Sequence, residues 1–78
     1  MKGGTKFLDL RGQKSPFALI RIAKEVKKAK PDEILEFLVD DPATVDEIAP
    51  WSERTGNKII SMKKEDSSWI IRIRRRSS

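Results

Sequence analysis

The stretch Leu8-Asp9-Leu10-Arg11-Gly12-Gln13-Lys14-Ser15-Pro16 joins a short strand to the first helix of the chain. Apolar and polar residues alternate at its start, as in a half-buried strand, and Gly12 allows a sharp turn. A serine followed by a proline is typical of a helix start, with Ser15 as the N-cap and Pro16 at the first helical position. The stretch therefore predicts a strand, a turn and a helix that begins at Ser15.

The start of this helix is also the first candidate functional position. A side chain at a helix N-terminus lies beside unpaired backbone N–H groups and the positive end of the helix dipole, which favours an anion or a cysteine thiolate. A serine hydroxyl stays protonated without a base. Lys14 is a poor base, because a lysine side chain ordinarily titrates near about pH 10.4. We therefore expect Ser15 to act as an N-cap and not as a nucleophile.

Hydrophobic periodicity predicts five further elements, in the order β-α-β-α-β-β for the whole chain. The sequence leaves two possible starts for the second helix: a cap at Asp41, or a capping box one turn later at Thr44-Val45-Asp46-Glu47. Glu25 is placed on the solvent side of the first helix. The predicted elements are strand 6–11, helix 16–30, strand 33–40, a second helix ending at Gly56, strand 58–63 and strand 69–74.

This order predicts an α+β fold, a two-layer α/β sandwich. Strand-helix-strand crossovers are right-handed, so both helices should cover one face of a single four-stranded mixed sheet. Residues 1–5 are predicted to form a flexible N-terminal arm, residues 6–75 a single domain, and residues 76–78 a C-terminal tail.

The composition excludes several classes of site. The chain contains no cysteine and no histidine, which rules out a disulfide, a zinc site of the usual kind, a cysteine nucleophile and a Ser-His pair. No apolar run approaches the roughly 20 residues that span a bilayer, and Met1–Thr5 lacks the apolar stretch of a secretory signal. These features predict a cytoplasmic protein with no cofactor and no metal.

Charge is distributed in three blocks. Residues 1–30 carry nine basic and two acidic side chains, residues 31–53 carry eight acidic and no basic ones, and residues 54–78 carry eight basic and two acidic ones. Salt bridges across a compact fold would explain this pattern. The alternative is a basic RNA- or DNA-binding domain. Clustered cations favour it, whereas no aromatic residue interleaves with them to stack bases. Its candidate residues are Arg21, Lys24, Lys27, Lys28, Arg74, Arg75 and Arg76.

The opening stretch, Leu8–Pro16, resembles the signature of the TusA/SirA-like sulfur-carrier family. Two later blocks, Asp40-Asp41-Pro42-Ala43-Thr44 and Ile48-x-Pro50-Trp51 with a following Gly56, are similar to the entry, body and exit of the family's second helix. The resemblance covers residues 6–75. Ser15 stands where the family has its acceptor cysteine, and Ala18 stands where it usually has a second proline.

The resemblance implies sulfur relay, in which a cysteine accepts sulfur as a persulfide from a donor protein and passes it to an acceptor protein. A serine oxygen can neither hold a persulfide nor exchange sulfur. Ser15 is therefore either an engineered replacement of cysteine or the mark of a natural non-catalytic relative that acts as a binding or regulatory module, and the sequence leaves both open. The implied site is Ser15 with Arg11, Gly12, Lys14 and Pro16 in support.

The implied supporting cations bear on the charge of the site. Arg11 and Lys14 would make the turn electropositive, which would stabilise a persulfide anion. Asp9 is an alternative partner for Arg11, and that pairing would weaken the field.

The resemblance also implies the strand order 1-2-4-3. With that order, Glu36 and Arg72 should meet on the sheet face that the helices leave open, beside Ile34, Leu38 and Ile70. Such a face, or the edge of the third strand, would allow a weak homodimer; a monomer is the other expectation. No membrane partner is expected in either case.

Overall fold

The computed structural model describes residues 6–77 and contains six elements in the predicted order. The predicted arm 1–5 and the last residue of the tail lie outside the described residues. The elements are β1 (Lys6–Asp9), α1 (Phe17–Lys28), β2 (Ile34–Val39), α2 (Pro42–Thr55), β3 (Lys58–Glu65) and β4 (Ser68–Arg74).

The four strands form one mixed sheet in the order β1-β2-β4-β3, as expected. β1 and β2 are parallel, whereas β4 is antiparallel to β2 and to β3. Glu36 lies opposite Arg72, and a carboxylate oxygen of Glu36 is 3.6 Å from Nε of Arg72. The predicted α+β fold, the strand order and this ion pair are therefore confirmed.

The core lies between the sheet and the two helices. Burial alternates along β2, where Leu35, Phe37 and Val39 are fully buried and the residues between them are half-buried. This alternation follows from the two-residue period of a strand with one covered face. The same buried cluster also contains Leu10 of the turn after β1 and side chains of both helices and β4: Ile22, Val26, Ile48, Trp51, Ile71 and Ile73.

Glu25 departs from the prediction that it faces solvent. Its side chain is buried and accepts a hydrogen bond from Nζ of Lys6 at 2.9 Å, and Nε of Arg21 lies 3.2 Å away. These cations, chiefly Lys6 of β1, hold the pKa of Glu25 below its ordinary value. The helical pattern missed this contact because Lys6 lies on another element.

The structure decides the start of α2. The carboxylate of Asp41 accepts a hydrogen bond from the backbone N–H of Thr44, so Asp41 is the N-cap and the capping box one turn later is not used. Gly56 ends the helix, as predicted, and its φ of 80° makes it a left-handed cap. Among residues 6–77, no helix is both long and apolar enough to cross a membrane.

Candidate functional site

The turn between β1 and α1 lies at the end of the sheet where α2 also begins. β1 and β2 are parallel and each leads into a helix, so both helix starts meet at the same edge of the sheet. The backbone N–H of Leu10 donates to the carbonyl of Leu38 at 2.8 Å, and the N–H of Gly12 donates to Oδ1 of Asp40 at 3.0 Å. The end of β2 and the residue that follows it thus hold the turn in place.

Gly12 is the residue that permits this turn. Its φ is 86°, in the left-handed region where a side chain would be strained. A Cβ at this position would meet no other atom within 4 Å, so the requirement for glycine is conformational and not steric.

Ser15 is half-buried at the end of the turn and is held by α2. Its backbone N–H donates to Oδ2 of Asp41 at 2.7 Å. Its hydroxyl donates to the carboxylate of Glu47, with Oγ 2.8 Å from one oxygen and 3.0 Å from the other. Both contacts join residues that are distant in sequence, so the position of Ser15 depends on the packing of α2 against the turn.

The predicted N-cap role of Ser15 is wrong. Helix α1 begins at Phe17, the residue that precedes it is Pro16, and no side chain caps it. The prediction failed because it used only the local serine-proline pair. In the structure the hydroxyl of Ser15 instead donates a hydrogen bond to Glu47, which lies on α2. Pro16 likewise stands one position before the helix and not at its first residue.

Asp41 connects the turn to α2. Its Oδ2 accepts hydrogen bonds from Oγ1 of Thr44 at 2.7 Å, from the backbone N–H of Thr44 at 3.3 Å and from that of Ser15 at 2.7 Å. The hydroxyl of Thr44 lowers the pKa of Asp41 most, the N–H of Ser15 adds to the effect, and the charge of Lys14 contributes further. The ionised carboxylate is therefore the form that the fold stabilises.

The charge of the turn is less positive than Arg11 and Lys14 suggest. Nη2 of Arg11 lies 2.7 Å from a carboxylate oxygen of Asp9, which confirms that alternative pairing. Hydrogen bonds from Arg11 lower the pKa of Asp9 to about 2. Since Asp40, Asp41 and Glu47 also bond to the turn, Ser15 lies among carboxylates.

A groove begins beside Ser15 and runs between the helices. Its volume is about 370 Å³. Two apolar side chains of α1, Phe17 and Ile20, are 66% and 52% exposed. The lining residues are Pro16, Leu19, Asp46, Glu47, Pro50 and Arg54.

Glu47 is the site residue that sequence reasoning missed. Its place in a capping-box pattern with Thr44 drew attention to the helix start and not to Ser15. The sequence did contain a signal for this contact. Glu47 lies one turn inside α2, which starts at the same end of the sheet as α1, so its carboxylate is within reach of the turn that holds Ser15. Recognising that contact requires the strand order, which sequence periodicity alone does not supply.

A family model described as "Sulfurtransferase TusA" matches residues 6–75. The chain belongs to the TusA family. The match includes all six elements of the fold and the turn that holds Ser15.

Curated relatives in this family carry the name "Putative sulfur carrier protein". One from Archaeoglobus fulgidus is 28% identical over 87% of this chain and 93% of its own length. Another, from Thermotoga maritima, is 30% identical over 90% of each chain. The crystal structure of the SirA-like protein from Desulfitobacterium hafniense superposes with a TM-score of 0.79 at 19% identity, covering 92% of this chain and 99% of that one. This structural similarity supports the fold.

We expect an Asp41→Asn variant to unfold at a lower urea concentration at neutral pH than the parent, because an amide oxygen is a weaker acceptor for the N–H of Ser15 and the groups of Thr44. The lowered pKa of Asp41 contributes stability above its ordinary pKa of about 3.9, and this stability is lost as the pH falls through the folded-state pKa. The variant should therefore lose less stability between neutral pH and about pH 2.

Urea denaturation across this pH range, followed by circular dichroism, measures the effect. Asp46→Asn is the matched control, since Asp46 is an exposed acid on the same helix. Identical acid sensitivity of the parent and the Asp41 variant would contradict the assignment.

Proposed function

We propose that residue 15 is the sulfur-acceptor position of this TusA family member. With serine there, the protein docks partners of a sulfur relay without carrying sulfur itself. The main support is the placement of Ser15 at a half-exposed turn, inside the matched region and beside an open groove. The curated relatives named as sulfur carriers support the same process.

Serine is consistent with docking but not with transfer. A carrier cysteine attacks the outer sulfur of a donor persulfide, forms a new S–S bond, and leaves the donor as a thiolate. Ser15 has no sulfur to form that bond, and its hydroxyl is already engaged with Glu47. The hydrogen bonds that the backbone N–H groups of Gly12 and Ser15 make to Asp40 and Asp41 do not use the γ atom of residue 15, so the backbone of the turn is retained.

The surface around Ser15 has the composition of a protein-binding site. The groove is lined by apolar side chains, Pro16, Leu19 and Pro50, and by charged ones, Asp46, Glu47 and Arg54. An apolar centre with a polar rim is typical of protein interfaces. The partners of the relay, a persulfide donor and a sulfur acceptor, would dock here.

A Ser15→Cys variant should acquire one sulfur atom when it is mixed with a cysteine desulfurase that carries a persulfide. Intact-protein mass spectrometry under non-reducing conditions detects the gain. The parent chain should gain nothing. Ser67→Cys is the matched control, because Ser67 lies in the exposed turn between β3 and β4 and offers a thiol without the proposed docking surface. Equal or greater loading of that control, or no loading of the Ser15 variant, would contradict the proposal.

Glu47 should oppose ionisation of a thiol at position 15. A carboxylate that accepts a hydrogen bond from the γ atom stabilises the protonated form and repels the thiolate. In a Ser15→Cys background, Glu47→Gln should therefore lower the thiol pKa and speed alkylation by iodoacetamide at neutral pH. The rate of alkylation as a function of pH gives the pKa of each variant.

The control for this experiment is Asp46→Asn in the same background. It removes an equal charge from the neighbouring position, which makes no hydrogen bond to Ser15. A thiol pKa that falls equally with both substitutions would show a general field effect and overturn the specific role of Glu47.

Two expectations from the sequence stay predictions. Nucleic-acid binding would require contacts along an extended basic surface, and a weak homodimer would require pairing through β3 or the open sheet face. Of the seven cations that suggested nucleic acid, Lys27, Arg75 and Arg76 come together in space, and they line a cavity.

A further inference from the structure

A second cavity lies at the opposite end of the helix pair from Ser15. Its volume is about 390 Å³, within the range of about 300–1,000 Å³ that is typical of small-molecule sites. It is bounded by the last turns of α1 and α2 and by the chain that follows β4. The lining residues are Ala23, Val26, Lys27, Trp51, Thr55, Asn57, Arg75 and Arg76.

Three cations line this cavity. Lys27 comes from the first basic block of the sequence, and Arg75 and Arg76 come from the second. Among residues 6–77, the lining includes no carboxylate. Cations that converge from distant parts of the chain without an acidic partner in the lining favour an anionic ligand.

The two arginines are held in position by the backbone. Nη1 of Arg75 donates to the carbonyl of Ala29 at 2.7 Å, just after α1. The backbone N–H of Arg76 donates to Oδ1 of Asn57 at 2.8 Å, and its Nη1 lies 3.5 Å from the carbonyl of Thr55 at the end of α2. The bond to Ala29 fixes the guanidinium of Arg75, and because each guanidinium has five N–H donors, both arginines keep other donors for a ligand.

The floor of the cavity is apolar. Ala23, Val26 and Trp51 contribute to it, and Trp51 is only 5% exposed. Thr55 and Asn57 add hydroxyl and amide groups at the side. An apolar floor below a cationic rim accommodates a molecule with an apolar body and a charged group, and inorganic ions would use only half of it.

We propose that this cavity binds an organic phosphate of about mononucleotide size. A phosphate monoester carries close to two negative charges at neutral pH and three acceptor oxygens, which suits three cations better than a single carboxylate does. The organic part lies on Ala23, Val26 and Trp51. This site is separate from the sulfur-relay turn, so it would remain if that function proved wrong.

Titration with adenosine monophosphate, followed by NMR, tests the proposal. The indole N–H resonance of Trp51 should shift with saturation, whereas that of Trp69, which packs under Lys64 on the sheet, should not. A Trp69→Phe variant assigns the two resonances. Adenosine and inorganic phosphate, each supplying half of the ligand, should bind at least about tenfold more weakly, since each loses interactions worth more than about 1.4 kcal/mol.

Lys27→Gln and Arg76→Gln should each weaken binding about tenfold. Lys24→Gln is the matched control, an exposed cation on the same helix that does not line the cavity. No shift at Trp51, equal binding of inorganic phosphate alone, or an equal effect of Lys24→Gln would overturn the proposal. An equal effect of Lys24→Gln, together with tighter binding of an RNA oligonucleotide, would indicate a diffuse basic surface instead.

Discussion

The hydrogen bonds to the Asp41 carboxylate are the contacts on which the site depends. One oxygen receives the N–H of Ser15 from the turn and two groups of Thr44 from the start of α2. The fold makes this possible because β1 and β2 are parallel and bring two helix starts to the same edge. Residue 15 is consequently positioned by a neighbouring helix that lies 26 residues away in the sequence.

Local patterns were sufficient for the elements and the core. The two-residue period of β2 gives its buried face directly, because the pattern reports a single element against one covered surface. The apolar spacing of α1 identifies Ile22 and Val26 as buried but also includes Ile20, which is exposed. They were not sufficient for charged and polar side chains. Glu25 and Ser15 were both misplaced, since their partners, Lys6 and Glu47, belong to other elements. The family resemblance supplied the strand order, but contacts between side chains of different elements also depend on how the helices pack, which that order does not specify.

The fold brings residues of the three charge blocks into two separate places. The acidic block contributes Asp40, Asp41 and Glu47 to the turn that holds Ser15. The two basic blocks contribute Lys27, Arg75 and Arg76 to the cavity at the other end of the helices. Carboxylates beside position 15 would disfavour the ionised form of a thiol there.

The central claim, that residue 15 lies at the centre of a surface for relay partners, is tested most directly by mapping that surface. Addition of an unlabelled cysteine desulfurase to the isotope-labelled chain should perturb the backbone NMR resonances of Phe17, Ile20 and Glu47 around Ser15. Perturbations confined to the β3 edge, to the open sheet face or to the cavity of Arg75 and Arg76 would contradict the claim.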